Sequence, residues 1–160
     1  MPLKITLKPH ERIIVGGAVM TNGGMRCELM VESSVPVLRE KDIMARDDAD
    51  TPCKRIYFVI QLMYVDEKNL LEHNHLYWNL VKDVVTAAPS TVILIDQISE
   101  RILNGNYYHA LKLAKRLIDF EEEVITHVRG SVGGLPQNAE GNDVRERTRG
   151  LGPHQSRAET

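Results

Sequence analysis

Cysteine and aromatic residues are scarce in this sequence, and no apolar run in it is long. Its two cysteines among 160 residues, Cys27 and Cys53, stand in no metal-binding or redox spacing, which argues against a disulfide framework and is typical of reduced cytosolic thiols. No stretch approaches the ~20 apolar residues that a membrane span needs. The first residues alternate polar and apolar types, unlike a secretory signal. We therefore expect a cytoplasmic protein without a membrane segment.

A surplus of charge is also missing. The formal net charge is −2, and no region forms a polybasic arm. Domains that bind nucleic acid by bulk attraction usually carry a clear basic excess. Any contact with nucleic acid is therefore expected to be local.

Motifs of catalysis and metal binding are absent from the sequence. No serine lies in a Gly-x-Ser-x-Gly elbow, and no glycine pair is followed by the Gly-Lys-Ser/Thr of a phosphate loop. His73 and His75 are two residues apart, so their imidazoles would point about 200° apart around a helix. The consecutive carboxylates of 121–123 diverge for the same reason. We expect no catalytic site, no metal and no cofactor.

The N-terminal part of the sequence has the alternating pattern of β structure. Leu3 to Leu7 alternate with polar residues, Gly16-Gly17 allows a tight reversal, and Asn22-Gly23-Gly24 is a hairpin signal. Residues 1–46 are predicted to form a small antiparallel β module, which should lean on the helices or on a second copy of the chain because it buries little surface alone. Five strands are predicted, at residues 3–8, 12–15, 18–21, 25–32 and 35–38.

The middle of the chain has helical periodicity. A first helix is predicted over 52–65, capped by Thr51 and with Pro52 in its first turn. Asp66 and Ser90 are expected to cap the second and third helices, and a fourth begins near Tyr107. Short loops between four helices favour an antiparallel bundle over 51–128. Residues 129–160 are rich in Gly, Pro, Gln, Asn, Arg and Glu and are predicted to be disordered. The predicted fold class is therefore α+β, with a disordered C-terminal tail.

Four strings, in order from residue 1 to about residue 123, resemble the FlbT family of bacterial flagellar regulators. They are MPLKITLKPHERIIVGGAV, VPVLREKDI, DADTPCKRIYFVIQLMY and NGNYYHALKLAKRLIDFE. The resemblance implies a post-transcriptional regulator that binds the 5′ untranslated region of flagellin messenger RNA and promotes its decay. It also implies flagellin or a small companion protein, FlaF, as a protein partner.

The β module alone is also similar to the carbon-storage-regulator family of RNA-binding proteins. The similar features are the opening strand with its threonine and the closing Val-x-Arg-Glu-x-x-Ile segment. Carried over by position, this similarity implies RNA contacts at Thr6, Lys8 and Arg39. The sequence departs from that pattern at Leu7, where a basic residue is usual, and at His10, which stands in place of a glycine.

Four candidate RNA-contacting residues, Arg39, Lys41, Lys54 and Arg55, lie about the junction of the two modules, where local positive charge near the β module is densest. Arginine can grip a phosphate with its planar fork or stack on an exposed base. Nearby carboxylates leave a second interpretation open, in which the arginines form ion pairs that tie the modules together. The candidates are Thr6, Lys8, Arg12, Arg39, Lys41, Lys54 and Arg55.

The candidate protein-binding residues are Trp78, Tyr107 and Tyr108, on the predicted helices. Core packing is the commoner role of such aromatics, although exposed ones suit a groove for a helical partner. Two functions are therefore carried forward, neither of them catalytic. One is a regulator that touches the flagellin transcript, and the alternative is a protein-interaction adaptor or flagellin chaperone that works with FlaF and affects the message only indirectly.

Overall fold

The computed structural model describes residues 1–132, in which antiparallel strands precede four α-helices. This order confirms the predicted α+β architecture. The strands are Leu3–Leu7 (β1), Arg12–Val15 (β2), Ala18–Thr21 (β3), Cys27–Val31 (β4) and Val37–Arg39 (β5). The helices are Pro52–Val65 (α1), Leu70–Ala87 (α2), Val92–Leu103 (α3) and Tyr107–Val132 (α4).

The ends of the helices follow the sequence signals in part. Thr51 caps α1, its hydroxyl accepting from the Lys54 N–H at 3.3 Å. The caps predicted at Asp66 and Ser90 are wrong, because a short 3₁₀ turn precedes each of these helices and neither side chain bonds a backbone N–H at the helix start. Proline at position 89 sets the φ angle that opens the second of these turns.

Helix α4 is longer than the sequence pattern predicted. It continues through Val132, so residues 129–132 extend a helix and do not belong to an irregular tail. Arg129 lies in its last turn, where a cation interacts favourably with the helix dipole. The remainder of the predicted disordered tail lies outside the described residues.

The strands form two sheets, one of β1 and β4 and one in the order β3-β2-β5. The hairpin predicted at Asn22-Gly23-Gly24 is wrong, because β4 pairs with β1, from Leu3 opposite Val31 to Leu7 opposite Cys27. The side-chain amide of Asn22 donates to the carbonyls of Lys8 at 2.7 Å and Met25 at 2.8 Å, which leads the chain towards β1. The reversal at Gly16-Gly17 does form, with φ values of +57° and +85° typical of a type I′ turn.

The β2 strand belongs to two cores because successive side chains in a strand point to opposite faces. Ile13 packs with Ile5 and Leu7 in a small cluster between the sheets. Its neighbour Ile14 packs with Leu38 against the helices, in the main core of the molecule. The β module therefore leans on the helical module, as its size predicted.

Candidate nucleic-acid interface

One polar face of α1 holds the main chain that leaves the β module. The Tyr64 hydroxyl accepts from the Val37 N–H at 3.1 Å, and Gln61 bonds both the N–H and the carbonyl of Met44, at 2.8 and 2.9 Å. The Tyr57 hydroxyl donates to the Asp42 carbonyl. These α1 residues are spaced by three and four positions, so they share one helix face. They fix residues 37–44 on the helices.

Asp42 ties the same segment to α4. Its side chain is buried, and its carboxylate forms an ion pair with Lys115 and a longer one, 3.7 Å, with Lys112. A buried carboxylate needs such partners, because desolvation of an unpaired charge is costly. The junction is therefore held by α1 through its backbone and by α4 through one carboxylate.

Arg39 points away from the helices and back into the β module. Its Nη2 donates to the Thr6 carbonyl at 2.9 Å and to Glu11 Oε1 at 2.8 Å, while 40% of the side chain stays exposed. The Lys8 N–H and then the Arg39 guanidinium lower the pKa of Glu11 below its ordinary 4.5. Arg39 thus pairs with a carboxylate, but its bonds join β5 to β1 and to the turn before β2 and do not tie the two modules together.

The turn before Glu11 places both Lys8 and that carboxylate. Pro9 and His10 are its central residues, the Glu11 N–H donates to the Lys8 carbonyl at 3.2 Å, and His10 has a φ of +62°. This is the pattern of a type II turn, whose third position favours glycine. His10, which replaces a glycine of the carbon-storage-regulator family, therefore has a left-handed backbone conformation.

Two depressions meet at Arg39 and Lys41, which line both. The larger, of about 590 Å³, lies between β1, β5 and α4, and Thr6 and Tyr108 also line it. The smaller, of about 510 Å³, is lined by Lys8 and the turn that follows it. We call this continuous surface the junction groove.

The α4 side of the junction groove combines a cation with an aromatic ring. Lys112 Nζ lies 5.1 Å from the centre of the Tyr108 ring, and that ring lies 6.1 Å from Tyr64. Tyr108 is 40% exposed. The groove is therefore bordered by Lys112 and an accessible aromatic ring on its α4 side. Its charged lining is mixed, with the cations Lys4, Lys8, Arg39 and Lys41 and the carboxylates Glu11, Glu40 and Asp42.

The other predicted RNA-contacting residues do not line the junction groove. Arg12 faces Glu40 at 3.4 Å, and Lys54 pairs with Asp50 at 3.0 Å. Arg55 donates to a main-chain carbonyl, that of Ala49, at 3.4 Å. The structure thus brings together Thr6, Lys8, Arg39 and Lys41 and leaves the remaining three outside.

The three aromatic residues predicted to bind protein lie in different surroundings. Trp78 is 45% exposed on α2 and meets Tyr77 edge to face at 5.1 Å. Tyr107 is half-buried against the main core. Tyr108 borders the junction groove. They do not form one surface.

Sequence reasoning missed several residues that build the groove. Gln61 is the polar residue inside the apolar stretch from Ile56 to Met63, and that isolation was a usable signal. Glu11 and Asp42 gave no such signal, because their partners are remote in the chain. Lys112 gave no signal either, because the aromatic ring beside it is recognisable only in the fold.

Further chemistry in the described part of the chain is limited. Residues 1–132 contain no cluster of three or more His, Cys, Asp or Glu side chains able to hold a metal ion. Within the same residues, no helix is long and apolar enough to cross a membrane. Burial raises the pKa of the Cys53 thiol to about 12, so this cysteine is a thiol at neutral pH.

The molecule is a small α+β scaffold with a groove at its module junction that is lined by basic, acidic and aromatic side chains. The sequence profile of the family described as "Flagellar protein FlbT" matches residues 3–125. The chain belongs to the FlbT family.

Similar proteins carry names from the same family. The chain is 48% identical to the "Probable flagellum biosynthesis repressor protein FlbT 1" of Bradyrhizobium diazoefficiens, over 78% of this chain and 85% of that protein. It is 40% identical to the "Probable flagellum biosynthesis repressor protein FlbT" of Rhodopseudomonas palustris, over 79% and 99%. It is 37% identical to the "Flagellum biosynthesis repressor protein FlbT" of Caulobacter vibrioides, over 82% and 95%. No solved structure matches the chain.

Proposed function

We propose that this protein regulates flagellin synthesis in the cytoplasm by binding the 5′ untranslated region of flagellin messenger RNA and promoting its decay. The names of the relatives, repressors of flagellum biosynthesis, support the regulatory role. The observation that carries RNA binding is the convergence of Lys8, Arg39, Lys41 and Tyr108 on one groove, with Lys112 beside the Tyr108 ring. Cleavage of the message would be performed by host nucleases.

The junction groove suits single-stranded RNA better than a duplex. Single strands expose bases that stack on aromatic rings while cations follow the phosphates. Tyr108 offers the ring, and the cations that line or border the same groove are Lys8, Arg39, Lys41 and Lys112. A path of this kind crosses both modules, which explains why the junction is fixed so firmly.

Within the groove, Lys41 is the most available cation. Its side chain is exposed, and among residues 1–132 it takes part in no ion pair. Arg39 is partly neutralised by Glu11, so its role combines holding the Thr6 strand with offering its exposed edge to a phosphate. Lys41 should therefore supply the larger share of the salt-dependent attraction.

A titration of the full chain against the flagellin 5′ untranslated region over a salt series tests the proposal. Each phosphate contact adds about 0.7 to the slope of log affinity against log salt for a single strand. Lys41→Ala should weaken binding and lower this slope by roughly one contact. Tyr108→Ala should weaken binding without changing the slope as much, because stacking is not an ionic contact.

Lys54→Ala provides the matched control, since it removes the same charge from a site outside the groove. It should leave affinity nearly unchanged. Binding that is insensitive to salt, or that falls equally in both lysine variants, would overturn the RNA interface. Arg39→Ala is less suitable as a test of RNA binding, because it also removes the hydrogen bonds of Arg39 to Thr6 and Glu11 within the β module.

A second candidate function is a protein-interaction adaptor or flagellin chaperone that works with FlaF. Ion pairing of Arg12, Arg39 and Lys54 favours it, because these cations are partly neutralised in the free protein. Leu71 and Trp78, 75% and 45% exposed, lie two turns apart on one face of α2 and offer an apolar contact. Capture of purified flagellin or FlaF that is lost in Leu71→Ser but kept in Lys41→Ala would support this candidate.

A further inference from the structure

Helix α4 extends well past the helices that support it. It has 26 residues, whereas α1 has 14 and α3 has 12. Residues 122–131 are all exposed, although the preceding turns of the same helix are deeply buried. At a rise of 1.5 Å per residue, this projecting part is roughly 15 Å long. Isolated helices of that length are marginal in water, so such a segment usually gains its stability from packing.

The projecting part of α4 keeps the apolar face of the buried part. Leu117 is fully buried, and the face continues through Phe120, Val124 and Val128, at the three- and four-residue spacing that keeps side chains in line. Val124 is 44% exposed and Val128 is 59% exposed. Phe120, Val124, Ile125 and Val128 form what we call the α4 stripe, an apolar surface that within residues 1–132 is only partly covered by the bundle.

The base of the α4 stripe opens into a groove of about 390 Å³. Val124 and Ile125 form one wall, the α2 residues Val84 and Ala87 form the other, and Cys53 contributes to its lining. This groove is mainly apolar and lies at the end of the bundle, where an added helix could lie beside α4.

Charges on the flank of the α4 stripe indicate which helix would lie beside it. Glu122 and Arg129 are seven residues apart, so they lie on the same side of α4, two turns from each other. Within residues 1–132, neither forms an ion pair. In two antiparallel copies of α4 centred between residues 125 and 126, Glu122 of each copy faces Arg129 of the other. The same register brings Val124 of one copy beside Val128 of the other.

We propose that the α4 stripe is covered by the α4 stripe of a second copy of this chain, in a symmetric antiparallel dimer. A two-fold interface must be complementary to itself, and a helix with an apolar stripe, an acidic end and a basic end meets that condition. The dimer would place the two bundles end to end and leave the junction groove of each copy open.

Sedimentation equilibrium of the full chain at micromolar concentrations measures its mass in solution and so tests whether it forms a dimer. The expected mass is twice the 18.1 kDa of one chain. Val128→Lys should raise the dimer dissociation constant by about tenfold or more, because in the proposed register it places a charge against the apolar side chain of Val124 of the second copy. Ile93→Ser is the control, since Ile93 is 69% exposed on α3 and lies outside the interface. Circular dichroism checks that both variants stay folded.

Charge exchange tests the register. Glu122→Arg and Arg129→Glu should each weaken the dimer, and the double variant should recover most of the loss because the ion pairs re-form with opposite sign. Deleting residues 133–160 should leave the dimer intact.

Three outcomes would overturn the proposal. The first is a monomer over the whole concentration range. The second is a dimer that is unaffected by Val128→Lys, which would point to another face, such as exposed Val19 and Met20 on β3. The third is a monomer that becomes a dimer only when residues 133–160 are removed, which would show that the chain's own tail covers the stripe.

Discussion

The β module and the helical module differ in how much of their stability each can supply. The cluster between the two sheets has only three buried side chains, those of Ile5, Leu7 and Ile13. The main core extends over all four helices and contains most of the largest fully buried side chains of residues 1–132, Tyr57 and Tyr77 among them. A module of about 40 residues with so small a core does not usually fold by itself.

The β module gains stability from the helices because one of its sheets contributes to both cores. The β3-β2-β5 sheet has the small cluster on one face and the helices on the other, through Ile14 and Leu38. The consequence concerns function as well as stability. The junction groove is built on strands that depend on the helices, so damage to the helical core should also disturb the groove.

The largest expected effect comes from removing the shared contact. Leu38 is 1% exposed, and Leu38→Ala should lower the free energy of unfolding by about 2–5 kcal/mol, as for other buried leucines. The loss should appear in both modules together. Guanidinium denaturation followed by circular dichroism measures the helices, and hydrogen exchange measures the strands.

Leu71→Ala is the control for size, because Leu71 is 75% exposed and should change stability by less than about 0.5 kcal/mol. Exchange that accelerates only in the strands of Leu38→Ala, with unchanged helical stability, would show that the modules fold separately. The β module would then be stable without the helical core.

The second expected effect concerns the contact between the β2–β3 turn and the end of α1. Both turn glycines have positive φ, but a Cβ at Gly17 would lie 3.0 Å from the Val65 carbonyl oxygen, whereas a Cβ at Gly16 meets only Val35 at 3.7 Å. Gly17→Ala should therefore cost about 2–3 kcal/mol and Gly16→Ala about 1–2 kcal/mol. Urea denaturation of the two variants measures the difference in their free energies of unfolding. Equal losses of stability would mean that a Cβ at Gly17 is accommodated without a clash with the Val65 carbonyl.

Sequence patterns predicted the limits of an element where neighbouring signals in the sequence agreed. The first helix was predicted at its observed limits, since Thr51, Pro52 and the apolar spacing agree. The second and third strands were likewise found at residues 12–15 and 18–21, on either side of two glycines. The pairing of β4 was not predictable from its turn, because the Asn22 side chain bonds carbonyls 14 residues earlier in the chain and redirects the backbone.

The candidate site was predictable only in its cations. Family resemblance pointed to Thr6, Lys8 and Arg39, and the density of local positive charge pointed to Lys41; all four line the junction groove. Their neighbours could not be deduced, since Asp42 meets Lys115 across 73 positions and Arg39 meets Glu11 across 28. Contacts at such separations have no periodic signature in the sequence.

A smaller effect is expected from Glu11, which joins the strands without help from the helices. Because its pKa is lowered in the folded state, its contribution is complete above about 4.5 and is lost as the pH falls through the lowered value. Glu11→Gln should therefore lower the thermal midpoint at pH 7, and its difference from the parent should shrink below pH 4.5. Glu28→Gln, which removes an exposed pair with Lys4, should have little effect at either pH. A difference that stays constant with pH would show that the carboxylate charge is not involved.

The smallest expected effect is a gain, at the turn that positions Lys8 and Glu11. His10 has a φ of +62°, and a side chain in the left-handed region costs about 1–2 kcal/mol. Glycine removes that cost but adds about 0.5–1 kcal/mol of unfolded-state entropy, so His10→Gly should stabilise the chain by between zero and about 1.5 kcal/mol. His10→Ala keeps a Cβ and should give no gain, which separates the backbone effect from loss of the imidazole. Equal stability of the two variants in urea would show that the turn relaxes without glycine. The strands of the β module would then be freer to adjust than their small core suggests.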